Sequence, residues 1–245
     1  MLSVPFILTH YGMIKKIVGL LLAVFVMQFS VAYVIENNHK GVQLWEGGPY
    51  WALTNIGAEK PEEYGYYFWW GDTIGYKWEN DKWVASDGSS SNFSFEESNT
   101  PTYGKDKAEL QREGWITSNG VLAPEHDAAR VHWGSNWRMP TDNELQALID
   151  NCIWTWTSVN GVYGYIVRGK GAHSEASIFL PAAGYGYEAF LNNAVFYGNY
   201  WSSVPYLEYD YYFSWYLYFN SSGHGMSYYY RRYYGRPVRP VSDVH

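Results

Sequence analysis

The chain is poor in cysteine and in charge. Among 245 residues there is one cysteine, Cys152, and only 17% of the residues are charged, below the roughly 25% usual in globular proteins. A single cysteine excludes a disulfide framework and any zinc site made of cysteines. Basic residues are scarce: 17 Lys and Arg stand against 24 Asp and Glu, a net charge of -7. Nucleic-acid binding needs a basic surface that neutralises phosphates, so the charge balance argues against it. The 7 His occur at scattered positions, and no His-Glu-x-x-His pattern or EF-hand loop is present. No metal or other cofactor is therefore expected.

Aromatic residues are what the chain has in excess. Tyr, Trp and Phe number 25, 13 and 11 and make up 20% of the sequence. That richness, with low charge, excludes a disordered chain. It leaves enough apolar surface for one sizeable core.

Residues 13–32 have the layout of a secretory signal: Lys15 and Lys16, an apolar run from Ile17 to Phe29, then Ser30 and Ala32 spaced for cleavage. The run is shorter than the roughly 20 residues of a spanning helix. The sequence therefore predicts export from a bacterial cell, with a signal at 1–32 whose true start is Met13 if residues 1–12 are an over-long beginning. Retained uncleaved, the segment would be the sole membrane tether. Residues 33–41 read as a linker and 42–243 as a single domain. Within it, 85–106 is rich in Ser, Asn and acids and reads as a surface loop.

The clearest helix starts at Thr141, where Thr141 and Glu144 make a capping box. Leu145, Leu148, Ile149 and Cys152 follow on one stripe. A shorter helix is expected over Pro124 to Arg130. Downstream the pattern turns to strands. Ile153–Thr157 and Val162–Val167 flank an Asn160-Gly161 hairpin turn. Trp215, Leu217 and Phe219 alternate with Tyr216, Tyr218 and Asn220, which places two kinds of surface on opposite sheet faces. In the ending 235–241, Pro237 and Pro240 suit an edge strand. The fold class predicted is α+β, with short, predominantly antiparallel strands and one or two helices.

Gly184, Gly186 and Ala189 match a dinucleotide-type glycine pattern, but the sequence after them lacks the helix that would hold a phosphate. Arg231, Arg232, Arg236 and Arg239 sit among tyrosines, in an acidic chain too poorly charged to hold nucleic acid. His173 and His126, each with neighbouring acids, are the positions around which a hydrolase would be built. Adjacency in sequence does not supply the geometry such chemistry needs.

The strongest functional signal is local composition. Residues 185–234 hold 15 of the 25 Tyr, mixed with Asn, Ser and Gly. Tyrosine offers a wide contact area with few torsions to freeze, and Ser, Gly and Asn add adaptable hydrogen bonds, the mixture that antibody paratopes use. The expected contacts with a protein or glycan partner are Tyr187, Asn192, Asn193, Tyr197, Asn199, Tyr206, Tyr209, Asp210, Tyr211, Tyr212, Tyr228 and Tyr230. Trp137, Arg138, Trp201 and Arg239 are expected to serve the scaffold. The alternatives are an enzyme or a structural envelope component.

Several ordered strings carry a family resemblance. AARVHWG (128–134) leads to NWRMPT (136–141), DNC (150–152) and WTWT (154–157). IFLPAAGY (178–185), YWSS (200–203), YLYFN (216–220) and GRPVRPV (235–241) follow, with YWALTNIGA (50–58) and EEYGYYFWWGD (62–72) upstream. Together these resemble the Fibrobacter succinogenes major paralogous domain over nearly all of 42–243. The resemblance implies a C-type-lectin-like fold, related to formylglycine-generating enzymes and to the variable proteins of diversity-generating retroelements, whose C-terminal half presents a ligand surface. The generating enzymes work with a cysteine pair, which this chain lacks. The calcium-lectin strings Glu-Pro-Asn and Trp-Asn-Asp are absent too, so neither activity is carried over.

Overall fold

Pairs of residues that tolerate positive φ set three of the hairpins. Asn37 and Asn38 (φ 47° and 65°), Asn80 and Asp81 (51° and 58°), and Asn160 and Gly161 (49° and 85°) each occupy a two-residue loop, as turns matched to strand twist require. The computed structural model describes residues 31–89, 92–134, 136–208 and 211–243. The secretory-signal reading therefore lies outside the described residues, apart from Val31 and Ala32.

Strands β1 (Tyr33–Glu36) and β2 (His39–Gln43) are joined at Asn37-Asn38, and β3 (Tyr50–Ala52) pairs with β2. Residues 33–41 are thus not the expected linker. Their alternating exposure and their turn make them two strands of a sheet. Strands β4 (Tyr76–Glu79) and β5 (Lys82–Ala85) form a second hairpin. The 85–106 segment that follows is largely irregular but tied down: Phe95 is fully buried and its backbone bridges Glu188.

Three short α-helices come next among the described residues, where one or two were expected. Helix α1 (Lys107–Arg112) is capped by Asp106, which accepts from the Glu109 N–H at 2.8 Å while Glu109 reaches back to the Asp106 N–H at 2.9 Å. Helix α2 (Ala128–Trp133) follows a 3₁₀ turn at Pro124–His126, so the expected helix there splits at Asp127, whose carboxylate caps α2. Strand β6 (Trp137–Arg138) leads to α3 (Asp142–Asn151), which begins with the capping box read from Thr141 and Glu144. Leu145 and Leu148 are buried, and Cys152 is buried just past the last turn. Burial raises the Cys152 thiol to about 12, which makes it a poor nucleophile at neutral pH.

The remaining strands are β7 (Ile153–Val159), β8 (Val162–Arg168), β9 (Ser177–Pro181), β10 (Tyr185–Tyr187), β11 (Phe190–Asn192), β12 (Tyr197–Pro205), β13 (Ser214–Asn220), β14 (Gly223–Ser227) and β15 (Val241–Ser242). Every strand pairing among the described residues is antiparallel. The sheets are β1-β2-β3-β15-β6, β4-β5, β7-β8-β9, β10-β11 and β12-β13-β14. The C-terminal strand is not at an edge. β15 lies between β3 and β6, and Pro237 and Pro240 escape the ladder by falling before its first residue.

One core, with Val42, Leu145, Val167, Leu180, Tyr200, Leu217 and Phe219, joins α3 to the sheets of β7–β9 and β12–β14. A second centres on Trp70, Trp137 and Trp201, and a third on Tyr67, Trp83 and Phe95. The chain is mostly antiparallel β with few helices. Among the described residues, no helix is long and apolar enough to cross a membrane.

Candidate ligand-binding site

The sheet β12-β13-β14 is two-faced, and its register shows why. Tyr200, Leu217 and Met226 stand side by side, as do Gly198, Phe219 and His224. Tyr200, Leu217 and Phe219 from these rows enter the core. A Cβ at Gly198 would come within 1.9 Å of the Phe219 ring, so only glycine fits there. The alternate rows, Asn199-Tyr218-Gly225 and Trp201-Tyr216-Ser227, belong to the other face.

On that face Tyr197, Asn199, Tyr216, Tyr218 and Ser227 line a cavity of about 420 Å³, within the range of small-ligand pockets. Tyr185, Asn193, Tyr229 and Tyr230 form its remaining walls. Among the described residues, no Asp or Glu lines it. The Tyr218 hydroxyl accepts a hydrogen bond from Asn220 Nδ2 at 2.7 Å, which leaves its own O–H to donate. Burial raises the phenols of Tyr185, Tyr216 and Tyr218, so these rings stay neutral hydrogen-bonding groups at physiological pH.

Behind the tyrosines lies Arg236, fully buried. Its guanidinium carbon is 3.6 Å from the Tyr216 ring centre, 4.1 Å from Trp201 and 5.3 Å from Tyr230. Among the described residues, none of its three guanidinium nitrogens meets a carboxylate or a carbonyl; its neighbours are aromatic rings and the Tyr216 hydroxyl. Burial lowers its pKa to about 10, with the surrounding tyrosines opposing the shift, and the group remains a cation at neutral pH. Arg239, three residues on, is as deeply buried but donates to Asn55 Oδ1 at 2.9 Å, to the Ala52 carbonyl at 3.0 Å and to the Phe179 carbonyl at 2.9 Å.

Of the predicted contact residues, the cavity gathers Asn193, Tyr197, Asn199 and Tyr230. Tyr211 and Tyr212 are exposed, and Tyr228 is half-buried. Tyr206 corrects the expectation: it is only 3% exposed, stacked on Tyr228 at 3.9 Å and edge-on to Trp215 at 5.3 Å. That ring is scaffold rather than displayed surface. Asn199 reaches the cavity wall although it is nearly enclosed, and donates to the Gly184 carbonyl at 3.4 Å. Tyr187 stacks on Tyr234 at 5.0 Å, and Asn192 donates to the Phe190 carbonyl at 3.1 Å, both away from the cavity lining. Tyr209 and Asp210 lie outside the described residues.

Sequence reading missed Tyr185, Tyr216, Tyr218, Ser227 and Tyr229 as cavity residues. The alternation in 215–220 identified the face of Tyr216 and Tyr218, and that signal was enough to have placed them.

The scaffold expectations are observed. Trp137 and Trp201 are fully buried. Arg138 bridges Glu144 and Asp243, each at 2.6 Å.

A second cavity of about 470 Å³ lies beside Tyr64, Tyr67, Lys77 and Trp78 and is mostly apolar. Two of its carboxylates are locally engaged: Glu62 accepts from Asn160 Nδ2 at 2.7 Å, and Glu63 from the Glu59 N–H at 2.8 Å. His126 packs on Trp115 at 4.0 Å, and His173 Nδ1 meets the Gln43 carbonyl at 3.2 Å. Neither histidine lines either cavity. The glycine pattern at 184–189 falls on the β10-β11 hairpin and opens no helix. Among the described residues, no cluster of three or more His, Cys, Asp or Glu has the makings of a metal site. The chain matches no protein-family model, no curated protein and no solved structure.

Proposed function

We propose that the chain is an exported, non-enzymatic ligand-binding module of C-type-lectin-like fold, which recognises a protein or glycan at the surface of a bacterial cell or outside it. The observation that carries this reading is the cavity on the Tyr216–Tyr218 face of β12-β13-β14, walled by six tyrosines and two asparagines. Strands β10, β12 and β13 hold four of those rings, and neutral phenols and amides supply adaptable donors and acceptors. The resemblance of 42–243 to the Fibrobacter succinogenes major paralogous domain supports the same reading, because it implies a ligand surface in the C-terminal half. The local engagement of His126 and His173 favours binding over hydrolysis.

The test is a combined glycan and protein array probed with the chain from residue 31 onward, followed by Tyr218→Ala and Tyr230→Ala variants. Specific capture that weakens at least tenfold in both variants, with the melting temperature held within a few degrees, is expected. Capture that survives both substitutions would place recognition elsewhere on the molecule.

A further inference from the structure

Buried arginines normally find several acceptors, because an ionised group removed from water is costly unless it is paired. Arg239 obeys the rule and Arg236 does not. Arg236 has no salt bridge and no carboxylate or carbonyl acceptor among the described residues, only tyrosine and tryptophan ring faces and the neutral Tyr216 hydroxyl. Those faces interact favourably with a cation but cannot neutralise its charge. Two of the rings that stand over the guanidinium, Tyr216 and Tyr230, also line the cavity. One layer of tyrosine therefore separates an uncompensated positive charge from a hollow that, among the described residues, contains no acidic side chain. In a chain of net charge -7, that hollow is electrostatically out of character.

We infer that the cavity takes an acidic saccharide unit, its hydroxyl groups bonded by Tyr218, Asn199 and Ser227 and its anionic group held over the ring layer that covers Arg236. The inference rests on the ligand-binding reading above and narrows it. Hydroxyl-rich ligands match a lining of phenols, amides and a serine, and flat sugar faces match tyrosine rings. The negative charge completes the ion pair that the fold leaves open. It accepts hydrogen bonds from phenols whose O–H groups the cation polarises, so it need not touch the guanidinium. Carboxylate and sulfate share this chemistry, and the choice of probes separates them.

Isothermal titration of residues 31–245 with paired probes tests the inference: tetragalacturonate against its methyl ester, sialyllactose against lactose, and 6-sulfo-N-acetyllactosamine against N-acetyllactosamine. At least one acidic probe should bind tenfold or more tightly than its neutral counterpart, with the preference shrinking as salt is raised. Arg236→Met should abolish the preference, while Arg236→Lys should keep most of it. Should the Met variant fail to fold, the Lys variant and the salt series still decide. Equal binding of acidic and neutral probes, a preference indifferent to Arg236→Met, or no acidic probe bound at all would overturn the inference. Neutral binding that disappears in Tyr218→Ala would meanwhile leave the module reading standing. Failure of every array ligand would remove that reading itself.

Discussion

The Arg236 guanidinium lies 3.6 Å from the centre of the Tyr216 ring, and both side chains are fully buried. This contact joins the scaffold to the cavity, since Tyr216 belongs to both. It also makes Arg236 and Arg239 a natural experiment, two buried arginines in one extended segment with opposite hydrogen-bonding circumstances.

Replacing each by methionine should separate those circumstances. Arg239→Met strands the buried acceptors of Asn55, Ala52 and Phe179, and each orphaned acceptor costs about 1–3 kcal/mol. A loss of about 3 kcal/mol or more is expected in urea unfolding. Arg236→Met strands no carbonyl or amide acceptor. It exchanges an unpaired buried charge and its ring contacts, worth about 2 kcal/mol, for apolar packing, and should stay within about 1 kcal/mol of wild type.

The tyrosines of the C-terminal half should divide into two energetic classes. Tyr206→Ala removes a buried ring stacked on Tyr228 and should cost about 3 kcal/mol, as truncations of large core rings do. Tyr211 and Tyr229, 50% and 72% exposed, should change stability by less than about 0.5 kcal/mol on truncation. Chemical denaturation of the three single variants reads the difference directly.

Gly225 offers a way to close the cavity without touching the core. It pairs with Tyr218 on the cavity face, and a Cβ built there meets nothing within 4 Å. Gly225→Phe should fold with an unchanged melting temperature and bind array-selected ligand at least tenfold more weakly. Unimpaired binding would show that the ligand sits outside this hollow.

Stability should depend on pH through Asp72. Burial lifts this carboxyl from its usual value near 4 to about 7, although the N–H groups of Ile74 and Gly75 donate to it. Between those values the folded protein holds a proton that the unfolded chain releases. Folding is therefore favoured at the acidic end and loses up to about 1.4 kcal/mol per pH unit as the pH rises toward 7, with no further loss from this group above it. Asp127 is buried and raised as well, so Asp72→Asn should flatten the slope without removing it. Urea midpoints measured from pH 4.5 to 7.5 give the comparison.

Local signals carried much of the fold. The Thr141–Glu144 capping box and the Asn160-Gly161 turn were legible because each satisfies its own backbone within four residues. The β1-β2 turn uses Asn37-Asn38, a weaker form of the same signal, and went unread. The capping box of α1 was present in Asp106 and Glu109 but lay at the end of a segment whose composition pointed to a loop. The site was legible only in part. Alternation separates two faces yet does not say which tyrosine is covered, and the burial of Tyr206 depends on Tyr228, 22 positions away. Nor does sequence distinguish Arg236 from Arg239, because each one's acceptors, or lack of them, come from distant segments.

The division of labour between alternate rows of β12-β13-β14 has an evolutionary consequence. Positions such as Tyr197, Gly225 and Ser227 can be exchanged one codon at a time while Tyr200, Leu217 and Phe219 keep the domain folded. On the proposed binding reading, a lineage carrying this sheet could acquire a new target without first inventing a new protein.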